Sequence, residues 1–399
     1  MDEYNIIVVG GGSGSQVATA AAERGLEAAV IERGPLGGAC ITRGCVPSKA
    51  LIHRADVAEE IRRAGEFGIP ATLDLEAVDY LTSDDALFLD ERPDSLVVVG
   101  GGYIGAELGY FFGAMGTDVT MVGRSETLVP REDDAVSEVV TRSLDRYADV
   151  YTGYEATSVE ESDSGVVVTA MPSDDEGSGD ELELEADDLL LAAGRRPNTD
   201  TLTLEATDIE IDDSEHIVVD ETLETTVEDV WALGDVVGAE PYKHAADSEA
   251  SVVSANVLSD AEQEVDYDAM PHAIFTEPQV ASVGRTEGEL EDAGVEYESA
   301  TVPFDAAPLG LIVGADDGFV KVLAAPDGEI LGCHIAGPQA ATLVQAVVVA
   351  MDRASATVED VAKSVHVHPA LSEVVYAAFD ELSGNEFSTA PDWTDVGDE

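Results

Sequence analysis

Two glycine-rich turns, each set between an apolar strand and a helical stretch, and a change of composition beyond Met270 predict the fold class. It is α/β, with two dinucleotide-binding (Rossmann-like) domains followed by a C-terminal α+β domain. The length agrees: 399 residues exceed one ordinary core, and 45% hydrophobic residues are too many for a disordered chain.

The first turn follows the apolar run at residues 5–9 and reads Gly10-Gly11-Gly12-Ser13-Gly14-Ser15, opening an Ala-rich helix over 16–22. A second strand, 28–31, ends at Glu32, twenty positions after Gly12, where a dinucleotide fold sets an acid on a ribose hydroxyl. Gly10, Gly12, Ser13, Gly14 and Glu32 are therefore candidate cofactor contacts. Ser15, still small, stands at the third glycine of the fingerprint.

The pattern repeats. Strand 96–99 runs into Gly100-Gly101-Gly102-Tyr103-Ile104-Gly105, a helix follows through Met115, and strand 119–122 comes next. Two such units imply two nucleotides. The acid expected after the second strand is replaced by Gly123-Arg124-Ser125. An arginine suits a 2′-phosphate and an acid would oppose it, so NADP(H) is favoured over NAD(H), the alternative for Arg124 being a solvated surface residue. Residues 150–193 alternate strands with acidic turns and predict an antiparallel excursion that closes in the buried strand 189–191. Runs 318–323 and 330–335 with the apolar helical stretch 340–351 predict the sheet and helices of the C-terminal unit. The polar tail over 383–399 is expected to be mobile.

Composition narrows the partners. Asp and Glu number 83 against 19 Lys and Arg, a net charge of -64. Phosphate backbones and anionic lipid surfaces would repel such a chain, so neither nucleic acid nor membrane is expected as a partner, and no apolar run approaches transmembrane length. The acids are spread along the chain among only four lysines (Lys49, Lys243, Lys321, Lys363), which points to a halophilic cytosol. At ~1 M salt the Debye length falls to ~3 Å and the self-repulsion is screened. Met1-Asp2-Glu3 leads straight into the first strand, so a cytoplasmic location is expected.

Three cysteines in a reducing compartment cannot form a structural disulfide framework. Cys40 and Cys45 lie in "GGACITRGCVPSKAL", with Pro47-Ser48-Lys49 opening a helix expected to run through residue 61. A helix N-terminus and Lys49 favour the thiolate, so a reversible redox pair is expected. No metal site is expected, because Cys333 is the only other thiol and nothing has zinc-ligand spacing; Cys333 reads as a buried strand residue. "HVHPALSE" contains His366, His368 and Glu373, and a histidine activated by a carboxylate is what a thiol-disulfide centre needs to move a proton. Taken alone, His368 could equally be a core or surface histidine.

In order, the first fingerprint, "GGACITRGCVPSK", "GGGYIGAEL", "AAGRRPNTDTL", "TTVEDVWALGDVVG", "FTEPQVASVGRTE" and "HPALSE" cover nearly the whole chain. In these it resembles the FAD-dependent pyridine nucleotide-disulfide oxidoreductases, the family of dihydrolipoyl dehydrogenase and of glutathione, mycothione and mercuric reductases. The resemblance implies that Cys40 exchanges with substrate and Cys45 faces the flavin. It pairs Lys49 with Glu107 near the isoalloxazine, sets Gly234 and Asp235 on FAD, with Asp235 on the ribityl chain, and adds Gly194 to the cofactor contacts. Tyr103 would cover the nicotinamide pocket until the nucleotide arrives. His368 with Glu373 would be the base, reaching the site across a homodimer interface. It implies a shortened, discontinuous FAD domain (1–80 and 197–262), an NAD(P) domain (81–196) and an interface domain (263–382).

Only about 50 residues separate Lys49 from Gly100, where the family carries a longer stretch that completes the FAD domain, and Ala193 stands where the family has threonine. The absence of a C-terminal cysteine pair disfavours mercuric reduction. The expected function is a dihydrolipoyl dehydrogenase-like oxidoreductase acting on a lipoyl or small-molecule dithiol/disulfide. The alternatives are an NADPH-dependent reductase of a low-molecular-weight disulfide and a flavin-free, non-catalytic nucleotide-binding dimer.

Overall fold

The structure, a computed structural model, describes residues 3–33, 78–173, 179–259, 261–353 and 355–384. Cys40, Cys45, Lys49 and the tail beyond residue 384 lie outside the described residues. The described residues fall into two compact units. The first takes those of Met1–Pro70, Leu81–Glu91 and Gly194–Tyr267, and the second those of Ala71–Tyr80, Arg92–Ala193 and Asp268–Glu399.

The chain opens with β1 (Ile6–Val9), α1 (Ser15–Glu23) and β2 (Ala28–Ile31), and β1 pairs parallel with β2, Ile6 opposite Ala28. Val8 points to the side where Val17 of α1, Leu223, Trp231 and Val253 form a small core. The alternate residues Ile7 and Val9 are 58% and 64% exposed. A period of two puts them on the opposite face, which no described element covers.

After a short helix α2 (Ser83–Ala86) come β3 (Ser95–Val99), α3 (Tyr103–Ala114), β4 (Asp118–Gly123), α4 (Asp134–Leu144) and β5 (Asp149–Thr152). The antiparallel excursion is β6 (Tyr154–Ser162), β7 (Gly165–Pro172) and β8 (Leu182–Ala186), and β9 (Asp188–Leu191) follows it. β9 pairs parallel with β3, completing a four-stranded sheet of order β5-β4-β3-β9. A parallel strand covered on both faces must be apolar throughout, which is why Leu189, Leu190 and Leu191 run without interruption and are all buried.

In the first unit, α5 (Lys243–Leu258) packs on α1 through Val253. The C-terminal part of the second unit comprises β10 (His272–Ile274), β11 (Val280–Gly284), α6 (Glu287–Asp292), β12 (Glu298–Pro303), α7 (Pro308–Val313), β13 (Phe319–Ala324) and β14 (Ile330–Ala336). Its antiparallel sheet has the order β10-β11-β14-β13-β12. The apolar stretch after it divides at Val344 into α8 (Ala340–Leu343) and α9 (Gln345–Met351), where the sequence predicts one helix; α10 (Val358–Ala362) and α11 (Ser372–Leu382) follow. Val374, Val375, Ala378 and Phe379 of α11 pack on Val302, Phe304, Val320 and Val322 to build the core. Cys333 is fully buried in β14, and burial pushes its thiol up to about 12, which makes it an inert packing residue. Among the described residues, no helix is long and apolar enough to cross a membrane.

Candidate functional site

In the first unit, Gly10 adopts φ +106 between β1 and the turn, a conformation only glycine holds without strain, and a Cβ there would meet nothing within 4 Å. Glu32 at the end of β2 accepts the Gly11 N–H at 2.5 Å, so the acid lies beside the turn. Helix α1 starts at Ser15, whose Oγ donates to the Gly12 carbonyl at 2.7 Å. Ser13 is buried and bonds Asp247 of α5. Asp247 also accepts from Gln16 Nε2 at 2.6 Å and from Lys243. Burial opposes the Asp247 charge, but these donors, Lys243 foremost, hold its carboxyl below the usual range.

The fully buried Glu249 of α5 accepts the Gly234 N–H at 2.5 Å and the Tyr267 hydroxyl at 2.7 Å. Burial and the Glu249 charge push the Tyr267 phenol up, so it remains a donor. Asp235, the next residue after Gly234, pairs with Arg195 at 2.9 Å on the surface, and Gly194 adopts φ +138.

The second turn is built more tightly. Gly100 has φ +130, and a Cβ there would lie 2.3 Å from the Ala192 carbonyl oxygen; one on Gly105 would lie 1.9 Å from the Gly100 carbonyl oxygen. Gly102 caps α3 and faces open space, so its backbone is presented at a helix N-terminus suited to a pyrophosphate. Tyr103 and Ile104 are the first two residues of α3. Arg124 is exposed just beyond β4, and its carbonyl accepts the Ser173 hydroxyl at 2.6 Å. Gly105→Ala is expected to force the helix off the strand and destabilise the protein by ~1–3 kcal/mol, with weakened nucleotide binding. A thermal melt with and without nucleotide checks it, and an unchanged melt would mean that the turn yields.

The histidine reading gains a partner. His368 Nδ1 lies 2.8 Å from Glu373 Oε1, and Glu373 Oε2 accepts the Ala370 N–H at 2.9 Å. Glu373 sits in the first turn of α11, where the helix dipole favours its charge. The carboxylate can only accept, so the ring proton on this side sits on Nδ1 and Nε2 is the nitrogen at which a neutral ring would accept a proton; the side chain is 56% exposed. His366 is half-buried, its ring centroid 5.4 Å from that of Tyr376, and burial lowers its pKa. Glu107 is buried on α3 and accepts the Phe275 N–H at 3.0 Å; its expected partner Lys49 lies outside the described residues, as do Cys40 and Cys45.

Sequence reasoning missed a buried polar cluster in the second unit. The Glu132 carboxylate accepts from the Tyr103 hydroxyl at 2.5 Å, His272 Nε2 at 2.7 Å and Ser282 Oγ at 2.8 Å. Burial would raise its pKa, but His272 first, then Tyr103 and Ser282, reverse the balance and hold it below the ordinary value. Next to it, Asp133 takes both its oxygens to Lys321 Nζ at 2.8 and 2.9 Å and caps α4 through Ala135 N–H. Lys321 also reaches Glu287 at 2.7 Å. Burial opposes the Asp133 charge too, and Lys321 again keeps the carboxyl low. Two acids among 83 carry no signal of their own, but each lysine among four could have been asked what retains it. Lys321 in the run Phe319-Val320-Lys321-Val322 was the visible clue.

A profile of the pyridine nucleotide-disulphide oxidoreductases matches residues 62–257, and one of that family's dimerisation domain matches residues 270–379. A protein named dihydrolipoyl dehydrogenase 3 from Haloarcula marismortui is 32% identical, over 94% of this chain and 95% of its own length. The dihydrolipoyl dehydrogenase of Bacillus subtilis is 30% identical, over 96% of this chain and 97% of its own. The HOCl-induced flavoprotein disulfide reductase RclA of Escherichia coli, in its Cu(II) complex, shares the fold with a TM-score of 0.85, covering 96% of this chain and 100% of that one at 23% identity. The Haloarcula alignment spans 456 positions but only 94% of 399 residues, about 375, so about 80 positions of that relative face a gap here.

Proposed function

The chain belongs to the pyridine nucleotide-disulphide oxidoreductases, and we propose that within them it is a dihydrolipoyl dehydrogenase-like enzyme of a halophilic cytoplasm, working as a homodimer on a lipoyl or small-molecule dithiol. The observation that carries this reading is the His368–Glu373 pair, a histidine held by a carboxylate in the tautomer that accepts a proton. His368 Nε2 takes the proton of the incoming dithiol while Glu373 stabilises the imidazolium. The thiolate so formed attacks Cys40, forming a mixed disulfide and releasing Cys45 as a thiolate; the substrate's second thiol, losing its proton, then displaces Cys40, so both cysteines end reduced and the substrate leaves as a disulfide. FAD, when bound, carries the electron pair between these cysteines and the nicotinamide. Gly10, Gly12, Ser13, Gly14, Glu32, Gly234 and Asp235 would hold it, and the open turn at Gly10 with the acid beside it fits a dinucleotide. Gly100, Gly102, Ile104 and Gly105 would hold the nicotinamide nucleotide, and Tyr103 would cover its pocket until it arrives. Arg124 would favour NADP(H), and that preference supports the low-molecular-weight disulfide reductases as a second reading.

The positions missing relative to the Haloarcula protein favour the third reading, a flavin-free nucleotide-binding dimer. Protein purified in high salt is expected to carry one FAD per subunit, to prefer NADPH, and to shift toward NADH on Arg124→Glu. Absorbance at the flavin band and steady-state turnover with both nucleotides decide. Colourless protein that fails to bind added FAD selects the flavin-free reading, and a wild-type preference for NADH removes Arg124 from the site.

A further inference from the structure

Tyr103 is the first residue of α3, directly after Gly102, so its backbone is fixed at the mouth of the second turn and only its ring can swing. That ring is held at its hydroxyl and on its face. Its hydroxyl meets Glu132 Oε1 at 2.5 Å, and its face stacks on His272, centroids 5.9 Å apart and planes 14° from parallel. Glu132 itself cannot follow a moving ring. Its side chain is fully buried and bonded to Ser282 and His272 of β11 and β10. The loop that carries it is tied to the turn by Val129 N–H donating to the Gly101 carbonyl at 2.6 Å, and to β13 by Asp133 and Lys321.

Building on the reading of Tyr103 as the cover of the nicotinamide site, we propose that Glu132 is a positioning residue that latches this cover, so that the nicotinamide nucleotide must break the Tyr103–Glu132 hydrogen bond to bind. A binding-competent state that is only fractionally populated weakens apparent affinity by that fraction. Losing a hydrogen bond to a buried charge releases that constraint.

The test compares wild-type protein in high salt with Glu132→Gln, Tyr103→Phe, the double variant, Tyr103→Ala and Ser282→Ala, measuring the NADPH Kd by calorimetry and the split between KM and kcat. Glu132→Gln and Tyr103→Phe are each expected to tighten NADPH about 5-fold and to lower its KM. The double variant should gain no more than Tyr103→Phe alone, because Glu132→Gln weakens the one bond that Tyr103→Phe removes outright. Ser282→Ala removes a bond to the other carboxylate oxygen and should leave Kd unchanged, which a merely structural Glu132 would not predict. Independent, additive effects of Glu132→Gln and Tyr103→Phe overturn the latch. So does a Glu132→Gln variant with wild-type Kd when Tyr103→Ala tightens binding; the cover then stands without its latch. If Tyr103→Ala leaves NADPH binding unchanged or weaker, the cover itself is wrong, and the latch falls with it.

Discussion

Chains carrying Cys40→Ser and chains carrying His368→Ala are each expected to be nearly inactive alone, and together to regain about a quarter of wild-type activity. General-base loss alone costs ~10²–10⁴-fold, and without Cys40 no disulfide can form with Cys45. In a twofold dimer whose site takes thiols from one subunit and histidine from the other, random mixing makes about half the dimers mixed. Each mixed dimer then has one intact site of two. Isolated through two different tags, mixed dimers should show about half of wild-type disulfide reduction. Mixed dimers as inactive as either parent would place the thiols and His368 in one subunit's site, or leave His368 with a structural role only.

Lys321→Met is expected to destabilise the second unit by ~3–5 kcal/mol, because it strands the buried Asp133 carboxylate without its cation. That is a large share of the ~5–15 kcal/mol that holds a domain folded. Adding Asp133→Leu should recover part of the loss, since apolar groups of similar size can replace a buried pair. The same cluster sets an acid limit. Glu132 and Asp133 have native pKa values held below their ordinary values of 4.5 and 3.8, so the unfolded chain binds their protons first. Their stabilisation is complete above those ordinary values and is lost as pH falls through the lower native ones. Denaturation midpoints in constant high salt, from pH 7 downward, should therefore drop below about pH 4.5 in wild type and be flatter in the Lys321→Met/Asp133→Leu variant. Equal slopes in the two proteins would mean that other carboxylates govern acid stability.

The parts of the chain that were legible in the sequence share one property: their chemistry is local. Both glycine turns, the strands and helices flanking them and the uninterrupted Leu189-Leu190-Leu191 strand announce themselves by period and spacing. His368 and Glu373 lie five residues apart, close enough to suggest the pair that the structure forms. What could not be read is non-local. Glu132 meets His272 across 140 residues and Asp133 meets Lys321 across 188, and no pattern within one element specifies either meeting. Glu249 is a similar case, a buried acid on a helix of mixed composition, supporting Gly234 from 15 residues away. The division of residues 340–351 at Val344 was also invisible, since the apolar run continues across it.

The Glu132 and Asp133 cluster also limits how this chain can be recombined with its relatives. The region between α5 and β10 invites a crossover, since the dimerisation profile starts at residue 270. A chimera joined there would keep both carboxylates on one parent and take residues 272, 282 and 321 from the other. Unless the donor parent carries the same three side chains, the graft strips the buried anions of their histidine, hydroxyl and lysine partners. Crossover tolerance at this joint would then track those three positions more closely than overall identity, and a library of such chimeras sorted by expression in high salt would display it directly.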